Sequence, residues 1–495
     1  MGPGSPYGRP GRPTGLVSVG ILVQAVAVET TKETEMLTVV QAYDRAPIEE
    51  IATDDAAALE AKLQAADKVF RDRGNWLKPH ERIAILRRLA ELLSAKRDHF
   101  ARQIAREGGK PLTDAIIETT RAIDGVHNAA DELRNFGGRE IPMGLTPAAV
   151  NRWAFTTKEP IGVVAAISAF NHPLNLIVHQ VAPAIAVGCP VIIKPASTTP
   201  LCCRDFVALV HEAGLPEAWC QTFLPESNEL AEKLVTDKRI AFLSFIGSAK
   251  VGWYLHSKLA HGARSALEHG GAAPAIVDRS ADLERIIEPL VKGGYYHAGQ
   301  VCVSTQRIYV HEEIADAFTE RLVARVAKLR TGDPVLKETE VGPLILPKEA
   351  DRVASWIDEA VKGGAKLVLG GKRLSETTLE PAVLLDPSAD ARVSQLEVFG
   401  PLVCVYRYSK LDQAIAQANS LNVAFQGSVF AQDIDVALHV AERLDASAVM
   451  VNDPTAFRTD WMPFAGRKES GYGTGGIPYT MRDMTQEKMI LMNRR

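Results

Sequence analysis

The spacing of apolar positions changes character along the chain. Ala56–Arg71 and Pro79–Arg97 carry Leu and Ile at i, i+3 and i+4, which predicts helices over most of residues 55–107. Thr113–Asn135 repeats that period, and Gly144–Glu159 alternates weakly, as an extended arm would. From Gly162 the apolar runs shorten. Strands are predicted at Gly162–Ile167, Pro190–Lys194, Trp219–Leu224 and Ile240–Phe245. Helices Pro173–Val187, Pro200–Ala213 and Glu229–Thr236 separate them. Alternating strands and helices specify a parallel α/β sheet with ligands at the strands' C-terminal ends. A second α/β run starts near Ala275, with helices Ala315–Leu329, Lys348–Lys362, Leu411–Ala418 and Ile434–Leu444. Its clearest strands are Lys366–Leu369 and Leu402–Arg407. Two α/β lobes therefore join near residues 265–272. Glu487–Met492 reads as a lone strand without a local partner, and an open strand edge is a template for another chain.

Length and composition narrow the picture. A chain of 495 residues exceeds one ordinary core, and 46% apolar with 23% charged residues is a soluble globular balance. A net charge of −4 provides no basic field for nucleic acid. Cys189, Cys202, Cys203, Cys220, Cys302 and Cys404 form no Cys-x-x-Cys pair and no zinc-like cluster, which argues for a reducing compartment, without disulfides or structural metal. No apolar run is long enough for a membrane helix: Asn171, His172, Asn175, His179 and Gln180 interrupt Pro160–Lys194. Residues 1–35 begin Gly-, Pro- and Arg-rich and then carry a weak apolar piece, Leu16–Val28. They are expected to be a disordered leader on a cytoplasmic protein.

Candidate chemistry sits at the predicted turns. Cys302 follows Gly299-Gln300-Val301; a thiolate is a strong nucleophile, although an isolated free cysteine is more often a small buried hydrophobe. Lys194 and Ser197 end one strand, where a nucleotide's ribose and phosphates would lie, or where the chain simply turns. Phe245, Gly247 and Ser248 end another and open a helix N-terminus, an anion-binding position that is weak as a motif by itself. The series Gly471-Tyr-Gly473-Thr-Gly475-Gly476 follows no clear strand and reads as a structural turn. Glu268, ahead of two glycines after His269, is a candidate general base or a surface carboxylate. Asn171 is a candidate oxyanion donor or a helix cap. Glu397 and Phe399 form a further loop carboxylate and ring.

In order and with their flanks, these residues strongly resemble the aldehyde dehydrogenase superfamily from about Leu37 to Met492. The motifs are Glu159-Pro-Ile-Gly-Val, Phe170-Asn-His-Pro, Lys194-Pro-Ala-Ser, Phe245-Ile-Gly-Ser, Leu267-Glu-His-Gly-Gly, Gly299-Gln-Val-Cys, Glu397-Val-Phe-Gly-Pro and Pro463-Phe-Ala-Gly. The resemblance implies a two-lobed α/β fold, with a Rossmann-like cofactor domain, an α/β catalytic domain and a small oligomerisation arm. On that basis residues 36–140 and 158–266 bind cofactor, 267–479 are catalytic, and 141–157 with 480–495 form the arm of a homodimer or homotetramer. Cys302 would attack a small-molecule aldehyde, Asn171 would hold the oxyanion, and Glu268 would activate water to hydrolyse the thioester. NADP or NAD would be held by Ile167, Ser168 and Phe170 after the first strand, Lys194 and Ser197 after the second, Phe245, Gly247 and Ser248 after the fourth, and Glu397 with Phe399 from the other lobe.

Departures from the family pattern carry further expectations. Ser197 stands where NAD-preferring members often have Glu, so NADP should be accepted. Phe170 replaces a common Trp, and His172 a common Phe; His269 and Ala272 differ without clear meaning. The loop Phe457-Arg458-Thr-Asp460-Trp-Met-Pro-Phe looks like the branch that includes lactaldehyde, non-phosphorylating glyceraldehyde-3-phosphate, phosphonoacetaldehyde and sulfolactaldehyde dehydrogenases. Arg458, helped by Arg121 and His172, would bind a carboxylate, phosphate or sulfonate, unless Arg458 is a structural partner of Asp460. Gln300 and Ser304 are further substrate-side candidates. Two other outcomes of the resemblance are a coenzyme A-acylating enzyme, against which Glu268 argues, and a catalytically silent relative, against which the intact Cys302, Glu268 and Asn171 argue.

Overall fold

A computed structural model describes residues 35–494; the expected leader lies outside the described residues apart from Glu35. Helix Ala56–Arg71 starts where the Asp55 carboxylate accepts the Ala58 N–H at 2.8 Å. Pro79 opens the next helix, and the Glu81 carboxylate accepts the Lys78 N–H there. The expected helix to Arg97 ends instead at Ala95; the chain restarts as Arg97–Gly108 and stops at left-handed Gly109, φ 74°. Helix Leu112–Glu132 follows Pro111.

The first sheet has the spatial order Gly471–Tyr472, Arg264–Glu268, Ile240–Ile246, Val163–Ile167, Val191–Lys194, Cys220–Thr222. All its neighbours are parallel except the Gly471–Tyr472 edge. Val163–Ile167 is the first of the five parallel strands in the chain and lies at the centre. The order in which strands are added across the sheet therefore reverses between it and Ile240–Ile246, and ligands enter such sheets at this switch point. Helix Asn175–Val187 is buried along its whole length between this sheet and Leu112–Glu132, as its nearly continuous apolar sequence requires.

The second sheet runs Lys366–Leu369, Ala382–Leu385, Leu402–Tyr408, Thr305–His311, Ala273–Val277, Gln426–Phe430, Ala448–Val451, parallel except at the first pair. Its core includes Leu290, Phe318, Val353 and Phe430.

The C-terminal strand has no local partner but is not alone: Thr485–Asn493 pairs antiparallel with Arg152–Pro160, which also carries the short strand Glu140–Ile141, and it forms the edge of that three-stranded sheet. The partner lies far upstream, and alternation alone does not name a distant partner. The Gly471–Gly476 series is more than a turn, because Gly471 pairs with Glu268 at the edge of the first sheet.

Candidate active site

The switch point of the first sheet faces a cavity of about 670 Å³ lined by both sheets' loops. After Val163–Ile167 come Ser168, Phe170, Asn171 and His172, and after Val191–Lys194 comes Ser197. Phe245, Gly247 and Ser248 end the neighbouring strand, and Glu268 ends the next. From the other lobe come Cys302, Glu397, Phe399 and Arg458.

Cys302 is held by an unusual turn between helix Leu283–Tyr295 and strand Thr305–His311. His297, Ala298 and Gly299 are consecutively left-handed, at φ 50°, 54° and 71°. A Cβ on Gly299 would lie 2.0 Å from the Gly400 carbonyl oxygen, so glycine is required there. Asn171 Nδ2 donates to the Gln300 carbonyl at 2.9 Å, tying the two lobes together beside the thiol. Thr455 donates its hydroxyl to the Val303 carbonyl at 2.7 Å, which fixes the Arg458 loop to the Cys302 loop.

Burial governs the charges. It pushes the Cys302 thiol up to about 12, with Arg458 pulling the other way, so the isolated site holds a neutral thiol. Burial also raises Glu268 against the pull of Arg458, and raises Glu397 to about 8. His172 is driven well below its usual range, first by burial and then by Lys110 and Arg121, and faces the Tyr296 hydroxyl at 3.4 Å.

Glu268 sits against Gly475: a Cβ there would lie 1.9 Å from Oε1. Its backbone carbonyl accepts the Gly247 N–H at 3.0 Å, and His269 Nδ1 donates to the Gly247 carbonyl at 2.9 Å. Gly475 and His269 thus shape the site, although the sequence reading gave them no part. His269 directly follows Glu268 in sequence, whereas Gly475 reaches Glu268 only because the Gly471–Tyr472 strand pairs at the sheet edge, which linear spacing does not display.

The substrate-side expectations fare unevenly. Ser304 does not reach the cavity lining; its hydroxyl donates to the Gly293 and Gly294 carbonyls at 3.2 and 3.3 Å. The Gln300 side chain is also engaged elsewhere, donating to the Pro343 carbonyl at 3.1 Å and accepting from Ile345 N–H at 3.0 Å. Arg121 lines the cavity but is bound in a fork to Asp460, at 2.7 and 3.2 Å. The suggested Arg458–Asp460 pair is absent. Arg458 instead lies over the Phe464 ring, 3.5 Å from its centroid, with Nη2 3.3 Å from His179 Nδ1. Among the described residues no carboxylate pairs with it within 4 Å, whereas lining residues Arg121 and Arg352 each have one.

The polar groups along the first sheet's edge suit a dinucleotide. Ser168 lines the cavity, and its hydroxyl is buried without a partner. Lys194 Nζ donates only to the adjacent Pro195 carbonyl at 3.1 Å, and Ser197 is exposed. Glu397 accepts the Gly271 N–H at 3.2 Å and lies so close to Gly270 that a Cβ there would be 1.8 Å from Oε1. These groups leave hydrogen-bonding capacity for ribose hydroxyls and phosphates.

A switch-point crevice facing a half-buried thiol and carboxylate and a buried carboxamide defines a two-lobed α/β oxidoreductase site. The chain belongs to the aldehyde dehydrogenase family, whose sequence profile matches residues 28–490, and is an aldehyde-oxidising oxidoreductase. It is 37% identical over 466 residues to 3-sulfolactaldehyde dehydrogenase of Priestia aryabhattai, covering 94% of this chain and 96% of that one. Aldehyde dehydrogenase 21 from Physcomitrella patens, solved with its reaction product succinate, superposes with a TM-score of 0.90 at 34% identity, covering 93% and 96% of the two chains. The glyceraldehyde-3-phosphate dehydrogenase GapN of Methanocaldococcus jannaschii, solved with NADP, gives 0.88 at 33% identity, covering 93% and 100%.

Proposed function

We propose that the protein oxidises a small polar, anionic aldehyde to its carboxylic acid with NADP or NAD. The observation that carries this reading is Arg458, a half-buried guanidinium without a carboxylate within ion-pair distance among the described residues, in the same lining as Cys302 and Glu268. The Cys302 sulfur adds to the aldehyde carbon as the Glu268 carboxylate takes the thiol proton, which Glu268 returns to solvent before hydrolysis. The Asn171 carboxamide and the Cys302 backbone N–H hold the carbonyl oxygen as charge develops on it. NAD(P), when bound, supplies the hydride acceptor. Ser168, Lys194, Ser197 and Glu397 would hold its riboses and phosphates. Glu268 then takes a proton from the water that hydrolyses the Cys302 thioester, releasing acid and free thiol.

Ser197 in place of an acidic residue leaves room for a 2′-phosphate beside Lys194, which supports NADP use. The anion held by Arg458 accords with the sulfonate or carboxylate in the names of the relatives described above. Trp153 and Met489–Met492 are exposed on the three-stranded sheet, and this apolar surface supports a homodimer or homotetramer. The six free cysteines suit the cytoplasm. Among the described residues no helix is long and apolar enough to cross a membrane.

The test is an aldehyde panel with both cofactors, contrasting neutral, carboxylate, phosphate and sulfonate substrates in wild type and Arg458→Ala. The variant should raise KM for anionic aldehydes more than for propanal; equal effects would remove the anion role. In stopped flow, Glu268→Gln should keep a slower burst of reduced cofactor and lose steady-state turnover, and an unchanged steady-state rate would remove the general-base role.

A further inference from the structure

Arg458 cannot hold a useful direction by itself. Its side chain is long, and Phe464 offers a face rather than a directed acceptor. Its orientation comes from behind the cavity. Asp460, two residues on and 2% exposed, accepts at Oδ1 from Arg121 Nη2 at 2.7 Å, from His179 Nε2 at 2.7 Å and from Asn175 Nδ2 at 3.0 Å. An ionised carboxylate only accepts, so the proton on the His179–Asp460 bond belongs to Nε2. Burial, then the Arg458 charge, holds His179 down to about 4, so the ring is neutral and Nδ1 is bare. A guanidinium only donates, so the 3.3 Å contact is Arg458 Nη2–H donating to Nδ1. The bonds form a directed chain: Arg458 gives to His179, and His179 gives to Asp460.

We propose that His179 and Asp460 are positioning residues that aim Arg458 into the cavity while leaving its charge unneutralised, and so set the enzyme's preference for anionic over neutral aldehydes. The choice of a histidine follows from what the alternatives would do. A carboxylate at position 179 would pair with Arg458 and compete with the substrate anion. An apolar residue would leave the guanidinium without a directed acceptor. Neutral imidazole, fixed in one tautomer by Asp460, directs the arginine without cancelling it. Arg458 Nε remains buried and without a partner, so the chain does not use up its donors. Asp460 also binds Arg121, so one carboxylate organises both arginines of this wall and compensates only one charge. The proposal rests on the reading of Arg458 as the anion-binding group.

The experiment compares kcat/KM for 4-oxobutanoate and butanal, which share a chain length and differ by a terminal carboxylate, in the full-length enzyme with its cofactor. His179→Gln places a nitrogen near the Nε2 position and loses the Nδ1 acceptor. It should lower the 4-oxobutanoate/butanal ratio roughly tenfold or more, the scale of one hydrogen bond to a charged group, through KM for 4-oxobutanoate. His179→Asn places an acceptor near the Nδ1 position and should keep the ratio within about threefold of wild type, a rescue that general loosening of the core would not produce. In an Arg458→Met background neither His179 variant should change the ratio further. If Arg458→Met leaves the ratio unchanged, the anion reading fails and the positioning role fails with it. If Arg458→Met lowers the ratio but His179→Gln does not, the reading stands and the positioning role is overturned. Equal losses in His179→Gln and His179→Asn, or a further loss in the Arg458→Met background, also overturn it. Should His179→Gln not fold, Asp460→Asn replaces it in the same cycle, with the same ratio loss expected and the same dependence on Arg458; a loss that persists in the Arg458→Met background overturns the proposal.

Discussion

Replacing Glu118 with Gln should damage this enzyme more than any surface change of equal size. Glu118 and Lys110 form an ion pair with both side chains fully buried. The other carboxylate oxygen accepts the Leu174 and Asn175 N–H groups, at 3.0 and 3.1 Å, where helix Asn175–Val187 begins. Those donors follow directly on the Asn171–His172 segment, so one carboxylate steadies the segment that carries Asn171 and pairs with a buried ammonium. Glutamine keeps the shape but cannot do both. If its oxygen stays on the helix N–H groups, its NH₂ meets the Lys110 ammonium; if it flips, two buried N–H groups lose their acceptor. Removing one partner of a buried pair costs about 3–5 kcal/mol. Burial already lowers Lys110, so proton loss from it limits the damage toward the lower figure. Urea unfolding should show a loss of about 3 kcal/mol in Glu118→Gln, with kcat reduced alongside. Adding Lys110→Met should recover at least about 1 kcal/mol, because no buried charge then remains unpaired. A single-variant loss under about 1 kcal/mol, or a double variant that simply sums the two singles, would refute the reasoning.

Other consequences are more local. Gly475→Ala should slow thioester hydrolysis roughly a hundredfold, because its Cβ would lie 1.9 Å from Glu268 Oε1 and must displace the carboxylate; steady-state rates within twofold of wild type would mean that Glu268 does not work from this position. Ser197→Glu should raise KM for NADP more than for NAD, by repelling a 2′-phosphate; initial rates with each cofactor check this. His179 should make the protein acid-sensitive. Its folded value near 4 lies below the usual 6.5, so the unfolded chain takes up the proton first, and stability falls as pH drops from about 6.5 to about 4, by on the order of 3 kcal/mol. Urea midpoints at pH 7 and pH 5 should converge in His179→Asn relative to wild type.

Much of the frame was legible because local patterns carry it. The boundaries of Ala56–Arg71, Lys366–Leu369 and Leu411–Ala418 follow from apolar spacing, with the Asp55 cap fixing the first. The residues brought to the cavity were legible too, since Asn171, Lys194, Gly247 and Glu268 all stand at strand ends of one parallel sheet. What the sequence hid was long-range. The partner of the C-terminal strand lies some hundreds of residues upstream, and the edge strand at Gly471 returns to a sheet whose other strands end at Glu268. Ser304 stands outside the cavity lining, whereas Gln300 lines it while its side chain bonds the Pro343 carbonyl and the Ile345 N–H; the tight left-handed turn before Cys302 sets both directions, and nothing in a linear spacing shows such a turn.

The same distinction explains why reaction and specificity differ in how they can be read. Covalent chemistry needs particular residue types at strand ends, and those types appear in the sequence in order. The proposed anion selectivity would depend on which arginine is left unpaired, and that follows from three-dimensional competition for carboxylates. Arg121 and Arg458 are equivalent as letters. Asp460, closer in sequence to Arg458, pairs instead with Arg121, and it reaches Arg458 only through the neutral ring of His179. On the substrate side Asp460 compensates Arg121, and the Glu268 carboxylate faces Arg458 only from beyond ion-pair distance while burial disfavours its ionisation, so Arg458 is the group left to attract an incoming anion. At an effective dielectric of about 20, one unit charge 4 Å away is worth roughly 4 kcal/mol before desolvation, enough to separate anionic from neutral aldehydes of the same length. Moving the carboxylate from Asp460 to position 179 would therefore be expected to abolish the preference without touching Cys302, Glu268 or Asn171.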